Sequence, residues 1–264
     1  MNLEKLTVTE IKKYLDSLDM ETVNIESICN DFLLDKRSSV KNLINKFEYK
    51  YKKYINIKKN TESFYNFDRQ YILNNNYVIA GCDEVGRGPL AGPIVCASVI
   101  LDLYNDDSVI NNINDSKKIK SKEVKKSLSE LIKNKSKFYS IIEISNEEID
   151  CIGIGVANQK GLKESIEILN TKIDLVLSDG YLVKNLNYKN ISVVKGDTKS
   201  ASIMCAAIIA KVYRDELMYK LHEEYPQYDF INNVGYGTST HVKAIEKYGI
   251  CKYHRKSFLK NYLL

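Results

Sequence analysis

Two periodicities divide the chain. Through residue 75 there is no glycine and no proline, and apolar residues recur at helical spacing. Thr7-x-x-Glu10 has the form of a capping box and opens a helix with Ile11, Tyr14, Leu15 and Leu18 on one face. A second helix is predicted over Val23–Leu34, and a third begins at Ser38 or Ser39 with Val40, Leu43, Ile44 and Phe47 as its apolar stripe. From Tyr77 onward short β-branched runs alternate with longer helical ones. Strands are predicted at Tyr77–Cys82, Ile94–Leu101, Phe138–Ile144, Ile173–Leu177 and Ile191–Val194. Between and after them fall helices from Ser121 to about Lys133, from Ser145 to about Gly153, Val156–Leu169, Ala201–His222 and Thr240–Tyr248. The expectation is a helical extension over residues 1–75 and an α/β domain over 76–264. Its first three strands would form an antiparallel meander, with parallel strands and helices added afterwards.

The densest stretch is Ile79–Leu101, IAGCDEVGRGPLAGPIVCASVIL. An apolar run ends in Asp83 and Glu84, passes through Gly86-Arg87-Gly88-Pro89 and Gly92-Pro93, and resumes as a second apolar run. A loop of three glycines and two prolines has a defined shape. Adjacent side chains on a strand face opposite ways, so Asp83 and Glu84 share a site only if the strand ends or twists there. An Asp-Glu pair alone reads far more readily as a solvated turn, and the glycine- and proline-rich loop around it shifts that balance.

Two further acids follow predicted strands: Asp179 beside Gly180, and Asp197 beside Gly196. Carboxylates at strand carboxyl ends are where open α/β sheets gather their chemistry. Four acids without histidine or cysteine partners make a hard, oxygen-only set suited to Mg²⁺ or Mn²⁺. Two such ions would offset the mutual repulsion of the carboxylates and support phosphodiester hydrolysis. Read singly, Asp179 is also a turn former and Asp197 also a helix cap.

Composition narrows the classes. Hydrophobic residues at 44% and charged residues at 28% describe a soluble globular chain, and 264 residues can bury a substantial core. No apolar segment has bilayer length and the first residues lack a signal-peptide core, so the expected location is the cytoplasm, without membrane association. Six cysteines without a C-x-x-C pair, and three histidines, argue against structural zinc and a disulfide framework. A net charge of +5 is compatible with a phosphate-rich partner without establishing one. The stretch Lys46–Lys59 interleaves lysines with Tyr49, Tyr51 and Tyr54, which suits a solvated helix face better than a nucleic-acid track.

The segment DEVGRGPLAGP closely resembles the signature of the type 2 ribonucleases H, the bacterial ribonuclease HII family. The resemblance continues in order through Asn114-Asp115-Ser116-Lys117-Lys118, Ser178-Asp179-Gly180, Lys195-Gly196-Asp197, Ala210–Asp215, Gly235-Tyr236-Gly237-Thr238 and His254-Arg255-Lys256-Ser257-Phe258. Seven collinear motifs over about residues 77–260 are specific together where each alone is not. The resemblance implies a ribonuclease H-like fold, with a five-stranded mixed sheet flanked by helices. It casts Asp83, Glu84 and Asp179 as metal ligands and Asp197 as the fourth acid, with two Mn²⁺ or Mg²⁺ ions as cofactors. It implies that Gly86, Arg87 and Gly88 grip a ribonucleotide 2′-hydroxyl and the adjoining phosphate, and that Tyr236 stacks on the following deoxyribose. The bland alternatives are a tight turn and a packed aromatic. Lys117, Lys199 and Arg255 are expected phosphate contacts. Ser178 departs from the family's usual aliphatic residue before the aspartate, and Cys205 interrupts the small-residue run of the long helix.

The expected protein is a monomeric endonuclease acting on RNA–DNA hybrids and on duplex DNA containing ribonucleotides. The alternatives are a ribonuclease HIII, a resolvase- or transposase-type nuclease of the same fold, and a nucleic-acid binding module that has lost catalysis. The intact acid set speaks against the last of these.

Overall fold

The computed structural model describes residues 6–105, 108–111, 113 and 121–259. The motif spanning Asn114 to Lys118, including Lys117, lies outside the described residues. The chain forms two compact units, Met1–Asn60 and Thr61–Leu264.

The first unit is helical. In α1 (Val8–Ser17) the capping box forms as the spacing predicts: the Thr7 N–H donates to Glu10 at 2.8 Å and the Glu10 N–H to the Thr7 hydroxyl at 3.3 Å. Then come α2 (Ile25–Asp31) and α3 (Ser38–Arg69). Ile11, Leu15, Ile28, Phe32, Val40 and Phe47 make a small core. Along α3 the lysines from Lys46 to Lys59 are exposed, and two are paired, Lys52 with Glu48 at 2.7 Å and Lys58 with Glu21 at 2.6 Å. This is a solvated helix face.

The division between the units falls inside α3, earlier than the change of pattern near residue 75. The reason is packing: Phe64 and Tyr65 belong to the core of the second unit, and Asp68 is fully buried there. The Asp68 carboxylate accepts the Ser202 N–H at 2.8 Å, and the Tyr65 hydroxyl accepts the Ile110 N–H at 3.0 Å.

The second unit holds β1 (Ile79–Val85), β2 (Ile94–Ile100), α4 (Lys122–Lys135), β3 (Phe138–Ile144), α5 (Asn146–Ile152), α6 (Ile154–Glu167), β4 (Leu175–Asp179) and β5 (Asn190–Val193). It ends in α7 (Ala201–Glu224), α8 (Phe230–Asn233) and α9 (Ser239–Tyr248). The sheet order is β3-β2-β1-β4-β5, antiparallel through the first three strands and parallel from β1 to β4 to β5. Central strands covered on both faces need continuous apolar runs, which β2 supplies with seven buried residues. On one face α7 packs against Ile79, Val95, Ala97 and Leu177; on the other α6 packs against Ala80, Cys82, Cys96 and Val176.

Two strands run further than expected, β4 through Ser178 to Asp179 and β1 through its acids. β1 does not stop at Cys82 but continues through both acids, with Asp83 opposite Ala97 and Glu84 opposite Cys96. Its parallel pairing with β4 ends earlier, at Cys82 opposite Ser178. Beyond that point one side of β1 opens into a cleft. α7 lies so close beneath β1 that a Cβ on Gly81 would meet the Ser202 carbonyl carbon at 2.3 Å, so glycine is required there.

Candidate active site

Alternation along β1 directs Asp83 to the α7 face and Glu84 to the α6 face. β4 delivers Asp179 at its last residue, and the turn Gly196–Thr198 after β5 delivers Asp197. The Gly196 N–H donates to Asp179 at 2.6 Å, which ties the two acid-bearing segments together. Asp83, Glu84 and Asp197 line a cavity of about 370 Å³ between β1, α4 and α7, where Lys125 and Lys211 also reach the wall.

Asp83 is only 8% exposed. Burial first, then the neighbouring charge of Glu84, with Asp179 and Asp197 adding, pushes its carboxyl well above the usual range. Glu84 is raised too, chiefly by burial, against a hydrogen bond from Tyr181 and the nearby Arg87 charge. Such a cluster favours any cation that can neutralise it. Among the described residues no three histidine, cysteine, aspartate or glutamate side chains already close around one point. The acids border an open cleft instead. That arrangement fits hard divalent ions that keep part of their water and share their shell with substrate phosphates, as Mg²⁺ does. Asp83, Glu84, Asp179 and Asp197 are the residues that would hold them.

Glu84 has a support the sequence did not disclose. The Tyr181 hydroxyl donates to its carboxylate and accepts from the Asn158 amide at 2.5 Å and the Arg87 guanidinium at 3.3 Å. That uses the full hydrogen-bonding capacity of a phenol. Arg87 also lies over the Tyr181 ring at 5.2 Å and stands 3.6 Å from Glu84. One tyrosine among 19 carries no signal by itself. The available hint was the position of Tyr181 two residues after Asp179, with a polar Asn158 set into the buried face of α6. Ser178 now has a function too: its hydroxyl donates to the Tyr181 carbonyl at 2.6 Å and shapes the turn that presents the ring.

The glycine loop is held from behind by two buried arginines. Arg255 donates to the carbonyls of Gly86 at 2.6 Å, Arg87 at 3.0 Å and Gly92 at 2.9 Å. Arg214 donates to those of Pro93 at 2.9 Å, Ala91 at 3.0 Å and Val234 at 2.8 Å. Gly86 has φ +97°, and a Cβ there would strike Arg214 at 2.3 Å. This corrects the expectation for Arg255. Its side chain has no exposed surface and its donors are taken by loop carbonyls, so it cannot reach a phosphate. Arg214 likewise turns away from Asp215, which pairs with Lys211 at 2.6 Å. Burial lowers Arg255 to about 9 and Arg214 to about 10, and both remain cationic at neutral pH.

Tyr236 is 43% exposed and stands beside the same loop, its ring edge 3.7 Å from where a Cβ on Gly88 would lie. Lys199 is exposed just past the turn that carries Asp197. The structure thus brings Asp83, Glu84, Asp179 and Asp197 to one end of the sheet, and Gly86, Arg87, Gly88 and Tyr236 to one adjoining surface.

Comparison with known proteins bears on this arrangement. The family model described as Ribonuclease HII matches residues 80–261, and that of the Ribonuclease HII N-terminal domain matches residues 7–72. A Ribonuclease HII of Clostridium perfringens (strain SM101 / Type A) is 49% identical over 256 residues, covering 97% of this chain and 93% of that protein. In fold, the chain resembles the crystal structure of ribonuclease H2 from Pyrococcus horikoshii OT3, with TM-score 0.58, 24% identity, and coverage of 68% of this chain and 93% of that one. It also resembles Bst-RNase HIII in complex with Mn²⁺, with TM-score 0.54, 16% identity, and coverage of 66% and 63%. Among the described residues no helix is long and apolar enough to cross a membrane.

Proposed function

This chain belongs to the ribonuclease HII family and is a ribonuclease H-type endonuclease, and from that premise we propose that it hydrolyses RNA paired with DNA and cuts duplex DNA on the 5′ side of an embedded ribonucleotide. The cut would leave a 3′-hydroxyl and a 5′-phosphate, placing the enzyme in ribonucleotide excision and primer removal. The observation that carries this reading is the meeting of a buried carboxylate cleft with a rigid glycine loop and an exposed tyrosine on one surface.

The loop and the tyrosine would read the sugar. RNA differs from DNA by the 2′-hydroxyl, and glycines let backbone groups approach a sugar with no side chain intervening. With the loop carbonyls held by Arg255 and Arg214, the surface is set before substrate arrives, so little ordering is left to the binding step. Tyr236 offers a face on which the sugar after the ribonucleotide can rest. Arg87, half-exposed at the cleft edge, is placed to meet the adjoining phosphate. Lys199 is proposed as a second phosphate contact. Tyr181 fixes the orientation of Glu84, while Asp83 is held by the Glu84 N–H at 2.7 Å. Two Mg²⁺ or Mn²⁺ ions bound by the four acids would supply an activated water and charge stabilisation at the leaving 3′ oxygen.

The test uses a duplex with one ribonucleotide and an all-DNA duplex, each with Mg²⁺ or Mn²⁺. A cut 5′ to the ribonucleotide, absent on DNA and abolished by Asp83→Asn, is expected. Cleavage of longer RNA tracts alone would move the reading to the ribonuclease HIII type, and cleavage of all-DNA substrates would overturn the sugar-reading role.

A further inference from the structure

The proposed chemistry uses none of the three histidines of the chain, and two of them, His241 and His254, are buried. Their ring nitrogens lie end to end, with the two Nε2 atoms 3.0 Å apart. His254 Nδ1 accepts the Cys251 N–H at 2.9 Å, so the His254 proton resides on Nε2 and points at His241. His241 Nε2 therefore accepts, and its proton resides on Nδ1, 2.9 Å from the Tyr236 carbonyl. Each ring donates once, all in one direction, from Cys251, whose Sγ also lies 3.1 Å from His254 Nδ1, to the Tyr236 backbone. The rings of Tyr228 and Phe230 pack against both imidazoles, with centroids 4.7 Å from His254 and 5.3 Å from His241.

What lies at each end gives the relay its meaning. At one end is the residue whose side chain stands beside Gly88. At the other, the residue after His254 is Arg255, whose guanidinium holds the Gly86 and Arg87 carbonyls. The same segment binds the loop through its backbone: the Arg255 N–H donates to Leu90 at 2.8 Å, and the Gly92 N–H donates to Tyr253 at 2.9 Å. Among the described residues the other hydrogen bonds from the loop to the 234–236 segment stop short of Tyr236, since Arg214 holds Val234 and the Leu90 N–H donates to Gly235, while the Tyr236 carbonyl also accepts the Thr238 N–H at 2.8 Å from its own segment. The imidazole pair reaches the Tyr236 carbonyl itself.

We propose that His241 and His254 are positioning residues that hold Tyr236 in register with the Gly86–Gly88 loop and so set the preference for a single embedded ribonucleotide over a continuous RNA tract. This rests on the reading of Tyr236 as the group that meets the deoxyribose after the ribonucleotide. On a continuous tract the ring meets a ribose in any register, so loss of register acts mainly on the single-site substrate.

Two substitutions separate this role from simple stability. In His254→Asn the side-chain oxygen replaces Nδ1 and keeps the Cys251 bond, but the residue no longer reaches His241. In His254→Gln the terminal amide replaces Nε2 and keeps the bond to His241, while the Cys251 bond is lost. Each variant gives up one buried hydrogen bond, so their melting temperatures should fall alike. The readout is kcat/KM on a duplex with one ribonucleotide divided by kcat/KM on a duplex with a ribonucleotide run. His254→Asn should lower that ratio about fivefold to tenfold, the scale of one hydrogen bond. His254→Gln should hold it within about twofold. His241→Asn, which retains an amide donor towards Tyr236 but cannot reach His254, should behave as His254→Asn does.

Equal ratios for the Asn and Gln variants, or parallel losses on both substrates that follow melting temperature, would overturn the proposal. Tyr236→Ala measured alongside separates the two layers. If it lowers the ratio while His254→Asn does not, the positioning role alone fails. If it leaves the ratio unchanged, the reading of Tyr236 fails and the proposal with it.

Discussion

Gly81→Ala tests whether the approach of α7 to β1 is as tight as it must be for the acids to meet. The added methyl carbon would lie 2.3 Å from the Ser202 carbonyl carbon, 2.4 Å from the Ile203 nitrogen and 2.6 Å from the Ser202 Cβ. Carbon atoms rest about 3.5–4.0 Å apart, so strand and helix must separate by roughly 1 Å or more. That turn of α7 is anchored twice, by Ser200 accepting the Ile203 N–H at 3.2 Å and by Asp68 accepting the Ser202 N–H at 2.8 Å. Overpacking of a tight core costs about 1–3 kcal/mol, and each buried hydrogen bond left unmade adds about 1–3 kcal/mol. With one of the two anchors lost the expected loss is therefore about 2–6 kcal/mol, against a total stability of about 5–15 kcal/mol for typical domains. Urea unfolding followed by circular dichroism would measure it. Gly155→Ala in α6 is the control: a Cβ there meets nothing within 4 Å, and the change should be neutral or stabilising by less than about 1 kcal/mol. Because two of the three nearest atoms are backbone, adding Ser202→Gly to Gly81→Ala should recover little. A loss below about 1 kcal/mol for Gly81→Ala, or full rescue by Ser202→Gly, would refute the argument.

Three further outcomes follow from other parts of the site. Burial and the neighbouring His241 hold His254 at about 4, below its ordinary 6.5, so the unfolded chain takes up that proton first. Its contribution is complete above about pH 6.5 and drains as pH falls towards 4, by at most about 3 kcal/mol. The acid limb of the urea midpoint should accordingly be shallower in His254→Gln, and identical limbs would contradict a neutral buried imidazole. Tyr181→Phe removes the donor to Glu84 and the acceptor of Asn158, and should cost about 1–3 kcal/mol while raising the metal concentration needed for half-maximal cleavage; an unchanged metal requirement would remove Tyr181 from the site. Arg255→Gln removes the charge and cannot satisfy three carbonyls at once, and should lose about 2–4 kcal/mol of stability with the slope of substrate binding against salt unaltered. A change of about one in the slope of log affinity against log salt would restore Arg255 as a phosphate contact.

Much of the sheet was legible because its strands are short β-branched runs bounded by glycine, proline or caps. Phe138–Ile144 falls where the pattern puts it, and Thr7, Ser121 and Ser145 accept the backbone N–H groups their spacing predicts. The four acids were legible as residues at strand ends. The course of β1 through Asp83 and Glu84 was not, since charged residues read as the end of a strand unless the partner strand is known. Nor was the burial of Arg214 and Arg255, because all but one of the carbonyls that satisfy them come from a loop more than a hundred positions away in sequence. Composition registers the extension as helical throughout, yet Tyr65 and Asp68 belong to the second unit through partners that local pattern cannot name.

The two arginines beneath the glycine loop have one more effect, which concerns field more than contact. Among the described residues neither guanidinium has a bonded carboxylate: both direct donors to backbone carbonyls, and both are protonated at neutral pH. The loop therefore lies above two fixed positive charges from which water and dissolved ions are excluded. Mobile salt screens exposed lysines within about a Debye length, but it screens buried charge far less. A polyanion seated against the loop, with the intervening water displaced, would meet an attraction that salt weakens less than it weakens that of the surface lysines. In physical terms, the sugar-reading surface is a charged floor whose potential belongs to the fold itself.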